Sequence, residues 1–131
     1  MASTQYDDGH ARLDAIFGAH GTDAVAQVAA IAPDLARQIT EHAYGDTYAR
    51  ETLNLRDRSL VTIAGLTALG YPQQQLASHI RGGLNVGLKR DEVVETITHM
   101  ALYAGFPAAV NAALTAKEVF DDLDSPSQEK A

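Results

Sequence analysis

Pro72-Gln73-Gln74-Gln75-Leu76-Ala77-Ser78-His79-Ile80-Arg81-Gly82-Gly83-Leu84-Asn85-Val86-Gly87 is the stretch on which the reading of this chain turns. It predicts one helix. Proline fits the first helical position, where a missing N–H costs nothing. Gly87 stands where helices commonly end in a left-handed residue. The Gly82-Gly83 pair costs roughly 1 kcal/mol per glycine relative to alanine. Close approach of a neighbouring helix or a ligand is the usual offset. A titratable imidazole, His79, beside a stretch with no side-chain bulk is a candidate place for small-molecule chemistry. The plainer alternative is helix packing around a hydrogen-bonded histidine. Successive helical residues turn by about 100°. Leu76, Ile80, Gly83, Leu84 and Gly87 therefore form the core stripe, while Gln75, His79 and Val86 share one flank. Arg81 lies on the side opposite His79. Either a ligand threads between helices or subunits to meet both, or Arg81 has a separate job such as an interhelical salt bridge.

Working outward, Asn54 is a good N-cap with Asp57 three residues on, close to a capping box. Leu60, Ile63, Ala64, Thr67 and Ala68 mark the buried face of that helix, and Gly70 closes it. Beyond Gly87, Asp91 and Glu92 suit the positive end of a helix, although Lys89 is a poor cap. Val93, Ile97, Met100, Ala101 and Ala104 make its core face. Gly105-Phe106-Pro107 breaks the chain before a last amphipathic helix, Ala108 to Leu123, with Val110, Ala113, Leu114, Lys117 and Phe120. Upstream, a short helix runs from His10 to Phe17 through Leu13 and Ile16. Gly18 and Gly21 bracket a turn. A helix capped by Thr22 or Asp23 carries Val25, Val28 and Ile31. After Pro33, Leu35, Ile39, His42 and Ala43 share a side, and residues 45–53 read as a loop. No stretch reads as a strand. Short connections favour antiparallel neighbours, so the expectation is an all-α antiparallel bundle of about six helices. It forms one domain over residues 10–123, with flexible segments at 1–9 and 124–131. Broad alanine-rich faces point to burial against other subunits, hence an oligomer.

Composition narrows the function. The chain has 131 residues, a net charge of −7 and no basic run, which argues against nucleic acid or an anionic membrane as partner. It has no cysteine, which excludes disulfides, thiolate metal sites and thiol redox catalysis. No apolar run is long enough to span a membrane. Met1 to Asp8 lacks the basic and apolar regions of a signal peptide, so a cytoplasmic location is expected. No His-Glu-x-x-His spacing, phosphate loop, dinucleotide fingerprint or Gly-x-Ser-x-Gly elbow occurs. Neither a metal nor another cofactor is expected.

Other residues could carry chemistry. His99 and Tyr103 stand four apart, share a flank with Thr96 and can touch; a polar packing seam is the alternative. Arg56 and Arg58 near a helix start oppose its dipole. A guanidinium there can grip a carboxylate bidentately, and surface pairing with Asp57 or Glu51 is the alternative. His42 and Tyr44, just before a loop, could form one wall of a pocket. His10 and His20 have less to recommend them.

Four blocks carry a resemblance. They are Tyr44-Gly45-Asp46, Arg56 to Ala64, His79 to Gly87, and Thr98-His99-Met100-Ala101-Leu102-Tyr103-Ala104-Gly105-Phe106-Pro107. In this order and spacing they resemble the carboxymuconolactone decarboxylase family, which shares its fold with alkylhydroperoxidase D. The resemblance runs from about His42 to Phe120. In the peroxidase branch a Cys-x-x-Cys pair precedes the histidine; Pro72 and Gln75 stand there instead, and Ser59 lies near that branch's glutamate. Thiol peroxidase activity is therefore not expected. The decarboxylase branch implies conversion of 4-carboxymuconolactone to the enol-lactone of 3-oxoadipate and CO₂, in aromatic catabolism, without a cofactor. It implies His79 as the proton-donating or oxyanion-stabilising group, with Arg58 and Arg81 orienting carboxylates. His42, Tyr44, Gln75, His99 and Tyr103 become substrate-binding candidates, and a trimer or hexamer is implied. The alternatives are another cofactor-free lyase or isomerase acting on a small cyclic or lactone metabolite, and a non-catalytic ligand-binding oligomer.

Overall fold

Local chemistry sets where the helices start and stop. The computed structural model describes residues 4–125; of the segments expected to be flexible, 1–9 and 124–131, residues 1–3 and 126–131 lie outside these. The described residues are helical with no strand. They fall into two compact units that meet in sequence between Arg58 and Ser59.

The second unit holds most of α4 (Leu55–Leu69), then α5 (Gln73–Asn85), α6 (Arg90–Ala104) and α7 (Phe106–Asp124). At the start of α4 the Asn54 Oδ1 accepts the Asp57 N–H at 2.8 Å, the expected cap. Pro72 stands one position ahead of α5 rather than inside it. The Gln73 amide closes that end by donating to the Gly70 carbonyl at 2.9 Å. At the other end Gly87 takes φ +112°, a region that L side chains rarely adopt. This lets the Leu88 N–H turn back to the Gly83 carbonyl at 2.9 Å. Lys89 cannot cap α6 with its own side chain. Instead the Glu92 carboxylate reaches back to accept the Lys89 N–H at 2.9 Å.

The core of this unit is built from Ile63, Leu76, Ile80, Leu88, Val93, Ile97, Ala109, Ala112, Ala116 and Val119. Each fully buried aliphatic side chain stabilises the fold by roughly 1.5–3 kcal/mol. The close approach expected at the glycine pair is present. A Cβ on Gly83 would lie 3.4 Å from the Ser59 Cβ, 3.5 Å from Ile63 Cδ1 and only 2.7 Å from Leu88 Cδ1. Gly83 therefore lets α4 and the post-helix turn pack directly on α5.

One face differs from expectation. Helix α7 buries Ala109, Ala112, Thr115, Ala116 and Val119, whereas Val110 and Leu114 are exposed. The sequence offers two apolar stripes on α7, about 100° apart. The bulkier was expected inside, but the alanine stripe won because small side chains allow α7 to pack closely against α5 and α6. Phe120 still packs on the core edge.

The first unit holds α1 (Thr4–Phe17), α2 (Ala19–Ala29) and α3 (Pro33–Gln38). The chain then widens into a π-helical turn, Ile39–Tyr44, followed by a short 3₁₀ turn, Thr47–Ala49. Helix α1 starts at Thr4, six residues before the expected His10. Its polar N-terminal half is held by hydrogen bonds that periodicity cannot reveal. Gln5 Nε2 donates to the Glu41 carbonyl at 2.7 Å, and Arg12 donates to the Tyr44 carbonyl at 2.6 Å. These satisfy carbonyls at the end of the π turn. Helix α2 starts at Ala19 rather than at Thr22 or Asp23, and none of its residues is fully buried. Val25 and Val28 are half-buried and Ile31 is exposed. The buried face here also differs from expectation. Ala36, Thr40 and Tyr44 face inward, while Leu35 is exposed. A strict 3.6-residue period had placed Leu35, Ile39, His42 and Ala43 there. Ala36, Thr40 and Tyr44 stand four apart, so the spacing is kept and the buried face lies one residue on from the expected one.

Candidate functional site

His79 sits midway along α5, among its buried residues Leu76, Ile80, Gly82 and Gly83. It is half-buried. Burial pushes its pKa down from 6.5 to about 4, because the charged ring loses hydration. At neutral pH the ring is uncharged, so one ring nitrogen donates and the other accepts. Gln75, one turn earlier on the same flank, is exposed.

Arg81 is bound to the Asp122 carboxylate of α7. The interhelical pair, one of the two roles open to it from the sequence, is the one observed. Arg81 leaves α5 on the side away from His79, as its two-residue offset requires.

Arg58 belongs to the first unit. Its Nε donates to the Leu53 carbonyl at 3.0 Å and its Nη2 to the Arg50 carbonyl at 3.1 Å. The guanidinium thus clasps the loop that leads into α4. Arg56 lies 3.5 Å from Asp57, the surface pairing weighed for it.

Tyr44 is a core residue of the first unit, 7% exposed. Its ring stacks on Tyr48 at 4.6 Å between centroids and meets Phe17 edge-on at 5.8 Å. Burial and the neighbouring Tyr48 phenol push its pKa upward. It was expected to line a pocket wall; its aromatic bulk is instead used to fill the space under the π turn. His42, the other wall candidate, is on the surface with its side chain 76% exposed and its Nδ1 3.9 Å from Asp46. Burial thus changes from exposed His42 through half-buried Ala43 to buried Tyr44 along the end of the π turn.

His99 and Tyr103 do touch, their ring centroids 5.5 Å apart. Both are exposed on the outer flank of α6. They stand beside Leu102 and Phe106, exposed by 77% and 78%. A groove of about 220 Å³ runs between α6 and α7, lined by Val94, Ile97, Thr98, Ala113, Lys117 and Phe120 among others. It contains none of the candidate residues. Among the described residues no group of three or more His, Cys, Asp or Glu converges, and no helix is long and apolar enough to cross a membrane.

Two contacts escaped the sequence reading. Asp122, the partner of Arg81, had one available signal: an acidic residue in the last turn of a helix opposes the macrodipole and so asks for a cation. The buried Thr115 hydroxyl donates to Gln73 Oε1 at 2.5 Å, tying α7 to the start of α5. Nothing in the linear sequence pairs two residues so far apart.

The chain matches the model of the carboxymuconolactone decarboxylase family over residues 33–118. It is 44% identical over 90 residues to a 4-carboxymuconolactone decarboxylase of Acinetobacter baylyi, covering 69% of this chain and 66% of that protein. It is 33% identical over 85 residues to the nitrosuccinic acid decarboxylase npaB of Metarhizium robertsii, covering 65% of this chain and 59% of that protein. A 15.0 kDa protein from the nqo9-nqo10 intergenic region of Paracoccus denitrificans is 32% identical over 95 residues, with 72% and 71% covered. The chain thus spans under two thirds of the length of the first two relatives. The matched region takes in the whole of α3 to α6 and most of α7, with His79 inside it. This all-α chain belongs to the carboxymuconolactone decarboxylase family.

Proposed function

We propose that this protein is a cofactor-free decarboxylase that converts 4-carboxymuconolactone into 3-oxoadipate enol-lactone and CO₂. The observation that carries the reading is the 44% identity to a protein of that activity across the segment holding His79. The chemistry asks little of a protein. The C–CO₂⁻ bond breaks, and its electron pair passes through the conjugated ring to the carbonyl oxygen of the lactone. One proton must then reach the ring carbon alpha to the lactone carbonyl. The ring is its own electron sink, so the side chains need only bind the anion, stabilise the developing oxyanion and deliver that proton.

His79 fits both of the latter tasks. Free of substrate its ring is neutral because it is desolvated. A doubly negative substrate beside it favours the charged form, so binding draws in one proton from solvent. The imidazolium then faces the lactone carbonyl oxygen, and after loss of CO₂ its proton passes to the ring carbon alpha to that carbonyl, leaving the imidazole neutral again. Charge balances: a dianion and one proton give a monoanion and CO₂. Arg81, engaged with Asp122, has no direct part in this reading. Arg58 clasps its own loop through two of its donors and has no part in this reading. The outer flank of α6, with His99, Leu102 and Tyr103, together with Phe106 at the start of α7, becomes a subunit contact in a homo-oligomer, a trimer or hexamer in a cytoplasmic setting. So large an exposed apolar surface supports this.

The test is direct. Purified protein with 4-carboxymuconolactone yields the enol-lactone and one CO₂ per turnover, followed by NMR and gas release. A folded protein that leaves this lactone unchanged refutes the proposal. The name of the Metarhizium relative favours a second reading, decarboxylation of another activated dicarboxylic acid. Turnover of nitrosuccinate in place of the lactone would select it.

A further inference from the structure

Three carboxylates, Asp121, Asp122 and Asp124, crowd the last turn of α7. That is the negative end of the helix dipole, where each acidic side chain is unfavourable by about 0.3–1 kcal/mol. Each is met by a cation. Lys117 Nζ reaches Asp121 at 2.6 Å along the same helix. Arg90, at the start of α6, holds Asp124 bidentately at 2.8 and 3.0 Å, with its guanidinium 5.0 Å above the Phe120 ring. Arg81 of α5 binds Asp122. This pair is the more sheltered, with side chains 33% and 45% exposed against 70% and 62% for Lys117 and Asp121.

The placement of Arg81 gives the pair a further consequence. It follows His79 by two positions, about 200° around α5. It precedes Gly82 and Gly83, which are buried and, at Gly83, packed directly against Leu88, Ser59 and Ile63. Leu76 and Ile80 grip α5 from the core, and the Arg81–Asp122 pair adds a directional charged contact to α7 on the flank opposite His79. We propose that Asp122 is a positioning residue: by holding Arg81 it sets the rotation of α5 about its axis, and so the direction in which His79 leaves the opposite flank. The proposal rests on His79 as the reacting group, but one arm of its test needs no turnover.

The variants are Asp122→Asn, Arg81→Ala, Arg81→Lys and the Asp122→Asn/Arg81→Ala double. Circular dichroism and thermal unfolding confirm that each is folded; Arg81→Lys keeps the charge should the others be too unstable. In the first arm, NMR titration of the His79 ring gives a midpoint near 4 in the wild type. Release of the pair moves it upward toward the ordinary value of about 6.5, and Arg81→Lys moves it less. In the second arm, Asp122→Asn and Arg81→Ala each lower kcat by about 10–100-fold, as a misplaced reacting group does. KM stays nearly constant, and the double variant is no worse than either single because the two act as one unit. An Asp122→Asn protein with wild-type His79 titration and wild-type kcat overturns the proposal. So does an Arg81→Ala variant that raises KM while Asp122→Asn does not, since Arg81 would then touch the substrate. If the wild type turns over no lactone, the functional reading fails while the titration arm still decides the positioning role.

Discussion

Replacing His79 with glutamine removes the one group on α5 that has a strongly shifted pKa, and the consequence for stability has a definite sign. The folded-state pKa is lowered from 6.5 to about 4. Between these two values the unfolded chain holds a proton that the folded chain refuses, so wild-type stability rises with pH across this window. As pH falls, stability is lost from about pH 6.5 downward and the loss levels off below about pH 4. At about 1.4 kcal/mol per pH unit the whole loss is at most about 3 kcal/mol. His79 is only half-buried, and residual solvent contact reduces the loss to about 2 kcal/mol. Glutamine cannot charge and lacks this dependence. The assay is urea unfolding of both proteins at several pH values from 7 to 3.5, at one fixed protein concentration so that any subunit association contributes equally. The difference between wild type and His79→Gln shrinks or reverses by about 2 kcal/mol as pH drops from 7 to 4. Parallel curves for the two proteins over that range would refute the desolvated neutral imidazole, and with it the proton uptake built on it.

Other expectations follow from the same structure. Gly83→Val drives a branched side chain against Leu88 and Ser59 and destabilises the fold by about 1–3 kcal/mol; chemical denaturation checks this, and an unchanged midpoint contradicts the close approach of α4 and α5. Tyr44→Phe loses the phenol that pairs with Tyr48 and costs about 1 kcal/mol while leaving turnover intact; a large loss of kcat/KM instead would return Tyr44 to the substrate. Calorimetric titration with an unreactive lactone dicarboxylate, repeated in buffers of different ionisation enthalpy, shows uptake of close to one proton near neutral pH in the wild type and none in His79→Gln.

The sequence carried the all-α architecture because its punctuation is chemical. Asn54, Gly87 and Gly105 act at their own positions, and caps and left-handed turns need no distant partner. The cores of α4 and α5 were legible for a similar reason: Ile63, Thr67, Leu76 and Ile80 repeat with the helical period. Legibility failed where a choice depended on three dimensions. Helix α7 presents two apolar stripes, and only packing against α5 and α6 selects the alanine one. The segment Pro33–Tyr44 presents two faces one residue apart, and only packing within the first unit selects Ala36, Thr40 and Tyr44 over Leu35, Ile39 and Ala43. The polar start of α1 is ordered by Gln5 and Arg12 reaching carbonyls more than thirty residues away. Of the candidate site, the opposition of His79 and Arg81 around one helix followed from geometry alone. The identity of Arg81's partner did not, because nothing local connects positions 81 and 122.

The imidazole at position 79 carries the proposed chemistry. Its most direct test is CO₂ release from 4-carboxymuconolactone by the wild type and by His79→Ala at neutral pH, with the assembly state of both proteins checked by light scattering. The expected result is a fall of roughly 10²–10⁴-fold in kcat/KM with the assembly unchanged, the range a lost general acid produces. A His79→Ala protein that releases CO₂ at the wild-type rate would contradict the central assignment.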